Sequence, residues 1–239
     1  MMRLHLLGVN GPFPASGGAT SGYLVEAEGQ LFQFDLGAGV LSRLTSVCPP
    51  EDLSALFLSH WHFDHTSDLL PLIYRLQACG RTLPVYAPAD PASAIRRLAE
   101  EAGCFSLQTI APGDQLSFNP VKILVGDARH PVPAVGFRVE CGSHSLGYTG
   151  DTNTLPSLAA FYRGVDLLLA DGLFPAESWA ENKPHLSAAL AASLADEAQA
   201  GQLVLTHLNP LIPPAALLRE ARERFSAVRL AEAGMVISL

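Results

Sequence analysis

The segment Ser59-His60-Trp61-His62-Phe63-Asp64-His65 sets three histidines and an aspartate between two apolar runs, residues 53–57 (LSALF) and 69–73 (LLPLI). Polar groups placed against a core without partners cost several kcal/mol, so these four side chains need something to hold. In an extended segment, side chains two apart point the same way, which lets His60 and His62 bind one metal ion together. Asp64 and His65 follow as the chain turns into the next helix and face a neighbouring position. Neutral imidazole and carboxylate are the donors that a borderline cation such as zinc prefers.

The same design recurs along the chain. "ALFLSH" delivers His60, "KILVGDARH" delivers His130, "LGYTGD" delivers Asp151 and "LVLTH" delivers His207. Each is an apolar strand that exits into a ligand-type residue. Layered α/β proteins assemble their sites at strand C-terminal ends and the loops that follow. Four such exits can therefore converge, and a carboxylate such as Asp151 can bridge two cations.

Strand-like runs alternating with helical stretches give the fold class, a layered α/β domain. A helix is expected from near Ser67 that turns Leu69, Leu72, Ile73 and Leu76 inward and ends at Gly80. A second has Asp90 as N-cap and Pro91 at its first position, with Ile95, Leu98, Ala99 and Ala102 on one face before Gly103. A third runs from about Ser187 to Ala200, with Leu186, Leu190 and Leu194 spaced by four. Between 106 and 149, "FSLQTI", "VKILVG", "VGFRVE" and "SLGYTG" read as short strands of an antiparallel sheet.

No linker or low-complexity segment interrupts the 239 residues, so one domain spanning 1–239 is expected. No apolar run reaches the ~18 residues of a membrane span. The opening "MMRLHLLGV" soon meets Gly11 and Pro12, which suits a first strand and not a signal peptide; a cytoplasmic protein without membrane contact is expected. Cys48, Cys79, Cys104 and Cys141 form no C-x-x-C pair and read as reduced, mostly buried thiols. The net charge of −8, with Lys122 and Lys183 the only lysines, suits broad contact with a nucleic-acid backbone poorly.

At this point the residues resemble a known family. The order His60-x-His62-x-Asp64-His65, a later lone histidine, "TGD" and then "THLNP" is similar to that of the metallo-β-lactamase-fold hydrolases over nearly the whole chain. The resemblance implies a four-layer αββα sandwich with a dinuclear site. It implies two divalent ions, zinc first, with manganese or iron as alternatives. His60, His62 and His130 would hold one ion, Asp64, His65 and His207 the other, with Asp151 bridging. "KPHLSAALAA" before "LVLTHLNP" resembles the histidine element of the ribonuclease Z and phosphodiesterase branch, where the residue matching His185 lies beside the scissile phosphate and protonates the leaving oxygen.

The chain also departs from that branch. Only twenty residues separate His130 from Asp151, too few for the tRNA-gripping arm, and "ADGLF" (170–174) replaces a H-E-A-T-F-like element. Extended tRNA binding is therefore not expected. The substrate expected is a small-molecule or short-oligonucleotide phosphodiester, with Asp64 orienting or deprotonating the nucleophile and His185 assisting the leaving oxygen. Two alternatives stay open: a carboxylic-ester, lactone or thioester hydrolase on the same site, and a metal-stabilised binding module with little turnover. Relatives commonly dimerise, which leaves a homodimer open.

Other polar residues carry weaker signals. His5 and His144 read as structural, Trp61 as packing, and Thr20 and Ser21 either as a plain turn or as part of the site's rim. Asp35 either supports the metal-binding loop or caps a turn. Asp68 either orients a ligand histidine or sits in a helix's first turn. Residues 172–185 are either a lid, with Lys183 meeting an anion, or a surface loop anchored by Phe174 and Trp179.

Overall fold

The computed structural model describes residues 1–239. The chain divides into two compact units, one formed by Met2–Ile110 with Glu232–Ser238, the other by Ala111–Ala231 with the two terminal residues.

The first unit is a seven-stranded mixed sheet. Its strands are β1 (Met2–Gly8), β2 (Gly22–Ala27), β3 (Gln30–Phe34), β4 (Ala55–Phe57), β5 (Leu83–Pro88), β6 (Phe105–Ile110) and the last strand of the chain, β14 (Val236–Ser238). They lie in the order β14-β1-β2-β3-β4-β5-β6. β14, β1, β2 and β3 pair antiparallel, and β3 to β6 pair parallel. β4 is buried at all three residues, as parallel strands covered on both faces are.

Helices α1 (Val40–Leu44), α2 (Phe63–Thr66), α3 (Leu69–Cys79) and α4 (Ala94–Glu101) connect these strands. α3 buries Leu69, Leu72 and Leu76 and ends on Gly80, whose left-handed φ of 59° suits a glycine stop. α4 starts later than expected. Ser93, not Asp90, is its N-cap and accepts from the Arg96 N–H, whereas Asp90 accepts from the Ala92 N–H in the turn before it. Leu98 is 45% exposed, so the buried stripe of α4 is Ile95 and Ala99 alone.

The second unit is also a seven-stranded mixed sheet: β7 (Gln115–Phe118), β8 (Val121–Asp127), β9 (Val135–Cys141), β10 (His144–Tyr148), β11 (Leu167–Asp171), β12 (Leu203–Thr206) and β13 (Val228–Leu230). Its order is β13-β12-β11-β10-β9-β8-β7. The pairs from β7 to β10 are antiparallel and those from β10 to β13 parallel. The expected antiparallel run thus holds for "VKILVG", "VGFRVE" and "SLGYTG". "FSLQTI" instead is β6 and pairs parallel with β5 in the first sheet.

The helices of this unit are α5 (Leu158–Phe161), α6 (Ala188–Glu197) and α7 (Pro214–Arg222). α6 is capped by Ser187, which accepts from the Leu190 N–H. Its most buried face is Ala188, Ala191, Ala192 and Ala195, because small side chains let a helix approach a sheet closely. Leu190, expected inside, is only partly buried. All four cysteines are free, but Cys79 is exposed, against the expectation of burial.

Candidate metal and active site

β3 and β4 are adjacent parallel strands, so their C-terminal exits lie side by side. After β3 the chain turns at Asp35 with φ 54°, a left-handed position that aspartate tolerates because its short polar side chain can hydrogen-bond locally. After β4 it runs through Ser59 to His60. Asp35 is fully buried and accepts hydrogen bonds from the Ser59 N–H (2.7 Å) and the Ser59 hydroxyl (2.8 Å). It also lies 2.8 Å from His65 Nδ1. It therefore ties two strand exits together and fixes which nitrogen of His65 is left to bind. Of the two roles open in the sequence, support of the His60–His65 loop is the one seen.

His60 and His62 do face one way: His60 Nε2 stands 2.9 Å from His62 Nδ1. Two ligands of one tetrahedral zinc at about 2.0–2.1 Å stand about 3.4 Å apart, so the pair is close to ligand spacing. The intervening Trp61 points away and is buried, its indole N–H donating to the Pro88 carbonyl at 2.9 Å. α2 then begins at Phe63, and His65 Nε2 lies 3.7 Å from Asp64 Oδ2. The loop is packed closely: a Cβ on Gly37 would meet the Asp64 carbonyl oxygen at 2.0 Å and Thr20 Oγ1 at 2.2 Å.

Of the two roles open to Asp68, the place at a helix start is the one seen: it is the N-cap residue of α3, but its side chain makes no cap bond there. It accepts from the Leu41 N–H at 2.8 Å and so holds the start of α1, which begins after Gly39 and has no side-chain cap of its own. Burial raises its carboxyl pKa, and the α1 amides pull it back down.

In the second unit the relevant exits are those of β8, β10, β11 and β12. β10, β11 and β12 are parallel neighbours. β8, two antiparallel steps from β10, runs in the same direction. Asp151 and His207 follow β10 and β12, both 2% exposed, with His207 Nε2 3.5 Å from Asp151 Oδ2. His130 is partly buried, its Nδ1 3.1 Å from the Pro184 carbonyl oxygen, and its ring centroid is 5.3 Å from that of His185.

His185 is buried, with Nδ1 2.7 Å from Asp171 Oδ2 and 3.8 Å from Asp151 Oδ2. Its ring stacks on His207, centroids 5.0 Å apart. Ligand atoms of Asp151, Asp171, His185 and His207 all lie within 4.8 Å of one another, so this cluster is able to hold a metal ion.

Asp171 was missed in the sequence except as part of a segment that departs from the ribonuclease Z pattern. It closes β11, an entirely buried strand, and so obeys the rule that found His60, Asp151 and His207: an apolar strand exiting into a ligand-type residue. It accepts from the Thr152 and Leu173 N–H groups at 3.3 and 3.1 Å and holds the His185 ring by its Nδ1.

Residues 172–185 form a pinned strap. Phe174 N–H donates to the Leu186 carbonyl and Ala188 N–H to that of Phe174. The Trp179 indole donates to the His185 carbonyl at 3.1 Å. Asn153, fully buried, donates from Nδ2 to the carbonyls of Lys183 (2.6 Å) and Glu181 (3.1 Å). The twenty-residue interval where a tRNA-gripping arm would insert is filled instead by the β9–β10 hairpin, turning at Gly142.

The remaining histidines carry no site. His5 lies in β1, 3.5 Å from the Glu26 carboxylate, and His144 opens β10 opposite Cys141. Thr20 and Ser21 are buried, with Thr20 in a backbone bridge to Asn10.

A family model described as the β-lactamase superfamily domain matches residues 34–208. The chain is 32% identical to the probable metallo-hydrolase YhfI of Bacillus subtilis, covering 98% of this chain and 99% of that protein. It is 26% identical to a ribonuclease Z of Methanopyrus kandleri, with 98% and 96% covered. The crystal structure of the metallo-β-lactamase fold protein YhfI from Bacillus subtilis superposes with a TM-score of 0.92, covering 99% of this chain and 98% of that one at 33% identity. The crystal structure of human tRNase Z, short form, gives 0.80 at 21% identity, with 99% and 98% covered, a likeness of fold alone. Two mixed sheets flanked by helices are thus the αββα fold that the motifs implied.

Proposed function

The chain belongs to the β-lactamase superfamily of metallo-hydrolases, and within it we propose that it is a dinuclear phosphodiesterase acting on a small nucleotide-type or short-oligonucleotide phosphodiester. In this reading His60, His62 and His130 hold one divalent ion, Asp64, His65 and His207 the other, and Asp151 bridges them. The two units then act as a single domain. The donor set fits such ions. The pairs His60–His62, Asp64–His65 and Asp151–His207 stand 2.9, 3.7 and 3.5 Å apart, the spread expected of ligands sharing a centre, and all are imidazole or carboxylate. Zinc suits them best; manganese and iron are the alternatives. Two divalent ions, when bound, supply a nucleophile at neutral pH and polarise the bond attacked.

The protein's own groups do the rest. Asp64, between His62 and His65 in sequence, orients the attacking water and accepts its proton. Asp171 fixes the His185 ring by Nδ1, so that Nε2 is the nitrogen left to face the substrate and to deliver a proton to the departing oxygen. The observation that carries the proposal is this pair: a buried histidine held at 2.7 Å by a buried carboxylate, beside Asp151 and His207. A metal site serving structure alone has no use for a proton carrier next to its ligands. Among the relatives, the ribonuclease Z of Methanopyrus kandleri bears the name of a phosphodiester-cleaving enzyme.

The test is a substrate screen on metal-loaded protein with bis-p-nitrophenyl phosphate, a lactone and a thioester, repeated for His185→Ala. Diester cleavage that falls about 10²–10⁴-fold in His185→Ala, with metal content unchanged, is the expected result. Cleavage of lactone or thioester without diester cleavage would overturn the assignment. Metal binding with no turnover of any probe would leave a binding module.

A further inference from the structure

Beside His130 lies a cleft of about 190 Å³ lined by Arg129, His130, Pro131, Glu181, Asn182, Lys183 and Pro184. In a chain of net charge −8 with two lysines, one of those lysines and an arginine line this one cleft. Neither Arg129 nor Lys183 takes part in the ion pairs of the structure, which join Arg3, Arg75, Arg96 and Arg138 to glutamates other than Glu181. Lys183 instead stands with Nζ 5.4 Å over the Phe174 ring. The backbone that carries it is fixed: the Lys183 carbonyl accepts from Asn153 at 2.6 Å, and the Lys183 N–H donates to the Ala180 carbonyl. Arg129 is fixed likewise, its N–H donating to Thr152 Oγ1 and its carbonyl accepting from the Asn153 N–H. Two cations are thus held from anchored backbone in the lining of a cleft that also includes His130, while Pro184 connects that lining directly to His185.

Charges kept apart from carboxylates in an acidic protein attract an anion. Arginine and lysine are the side chains suited to phosphate. We propose that this cleft binds a second anionic group of the substrate, so that the substrate class is a phosphodiester carrying a further phosphate, as at the end of a short oligonucleotide. The inference rests on the phosphodiesterase reading above and narrows it. A diester with a single charge gives the two cations of this cleft no anion to meet. Glu181, on the same wall, limits the attraction and so provides a change of opposite sign.

The experiment compares thymidine 5′-(p-nitrophenyl phosphate) with its 3′-phosphorylated form on metal-loaded protein. The expected kcat/KM ratio favours the 3′-phosphorylated ester about fivefold to tenfold, the modest gain that exposed charge pairs allow. It shrinks toward one in Arg129→Met, Lys183→Met and high salt, and grows in Glu181→Gln. A ratio of one in the unaltered protein and all three variants would overturn the proposal while diester cleavage itself stands. Calorimetric binding of thymidine 3′,5′-bisphosphate and of thymidine 5′-monophosphate gives a readout independent of turnover. Equal affinities, unchanged in Lys183→Met, overturn the anion cleft whatever the hydrolysis assays show. Loss of cleavage of both esters, with a lactone or thioester still hydrolysed, counts against the phosphodiesterase reading instead, and this inference falls with it.

Discussion

Replacing Asp35 by Asn isolates the contribution of a buried carboxylate that touches no substrate. Asparagine keeps the shape and tolerates the left-handed φ of 54°, so backbone strain is not introduced. One amide oxygen can still accept from the Ser59 N–H. The other corner becomes an NH₂ donor facing the Ser59 hydroxyl and His65 Nδ1, at 2.8 Å each. Two hydrogen bonds to a charged acceptor are lost, each contributing about 1.5–3 kcal/mol. The Ser59 hydroxyl can rotate to recover part of one, so a net loss of about 2–5 kcal/mol is expected. For a chain of this size, at about 2–4 °C per kcal/mol, that is a fall in Tm of roughly 4–20 °C in chelator. His65, no longer fixed by a carboxylate, also turns the wrong nitrogen outward, which costs about 10–100-fold in metal affinity. Thermal unfolding by circular dichroism in chelator measures the first effect, and competition with a chromophoric chelator measures the second. A Tm within 1 °C of the parent together with unchanged metal affinity would refute the account of Asp35 as the tie between β3, β4 and His65.

Three further expectations follow from single contacts. Gly37→Ala drives a methyl group against the Asp64 carbonyl and Thr20; a loss of about 1–3 kcal/mol and weaker metal binding are expected, read by melting and chelator competition. Asn153→Ala removes the amide that holds the strap carbonyls at 181 and 183; limited proteolysis should then cut within 180–184 while the core melts within a few degrees of the parent. Glu51, bonded twice to Arg75, has its pKa lowered to about 2. A lowered carboxyl pKa stabilises above the unfolded value of about 4.3 and is lost as pH falls toward 2. The Tm difference between parent and Glu51→Gln should therefore be present at pH 7, shrink between about pH 4.5 and 2, and diminish in salt; a difference that stays constant with pH would count against it.

What the sequence determined by itself is local. The i, i+2 geometry of an extended segment is enough to aim His60 and His62 together, and apolar runs ending in His130, Asp151 and His207 need only strand periodicity to be recognised. Gly80 ends α3, and Ser187 begins α6 near the expected residue. The same local rule reaches Asp171 at the end of "LLLAD", an apolar strand that closes on a carboxylate. What only the tertiary structure decided depends on which strands become neighbours. Asp35 supports His65 because β3 and β4 pair in parallel and place their exits side by side. Asp68 holds the start of α1, a segment 27 positions away, which no spacing rule reaches. "FSLQTI" joins β5 because a parallel partner was available there, and its own pattern could not choose between sheets. Leu98 stays exposed and Leu190 half-covered because helical periodicity marks a stripe, while the width of that stripe is set by how closely the neighbouring layer approaches. The candidate ligands stand in short local patterns of sequence; their support, and the cations of the cleft beside His130, were assembled by pairings across the sheet and strap.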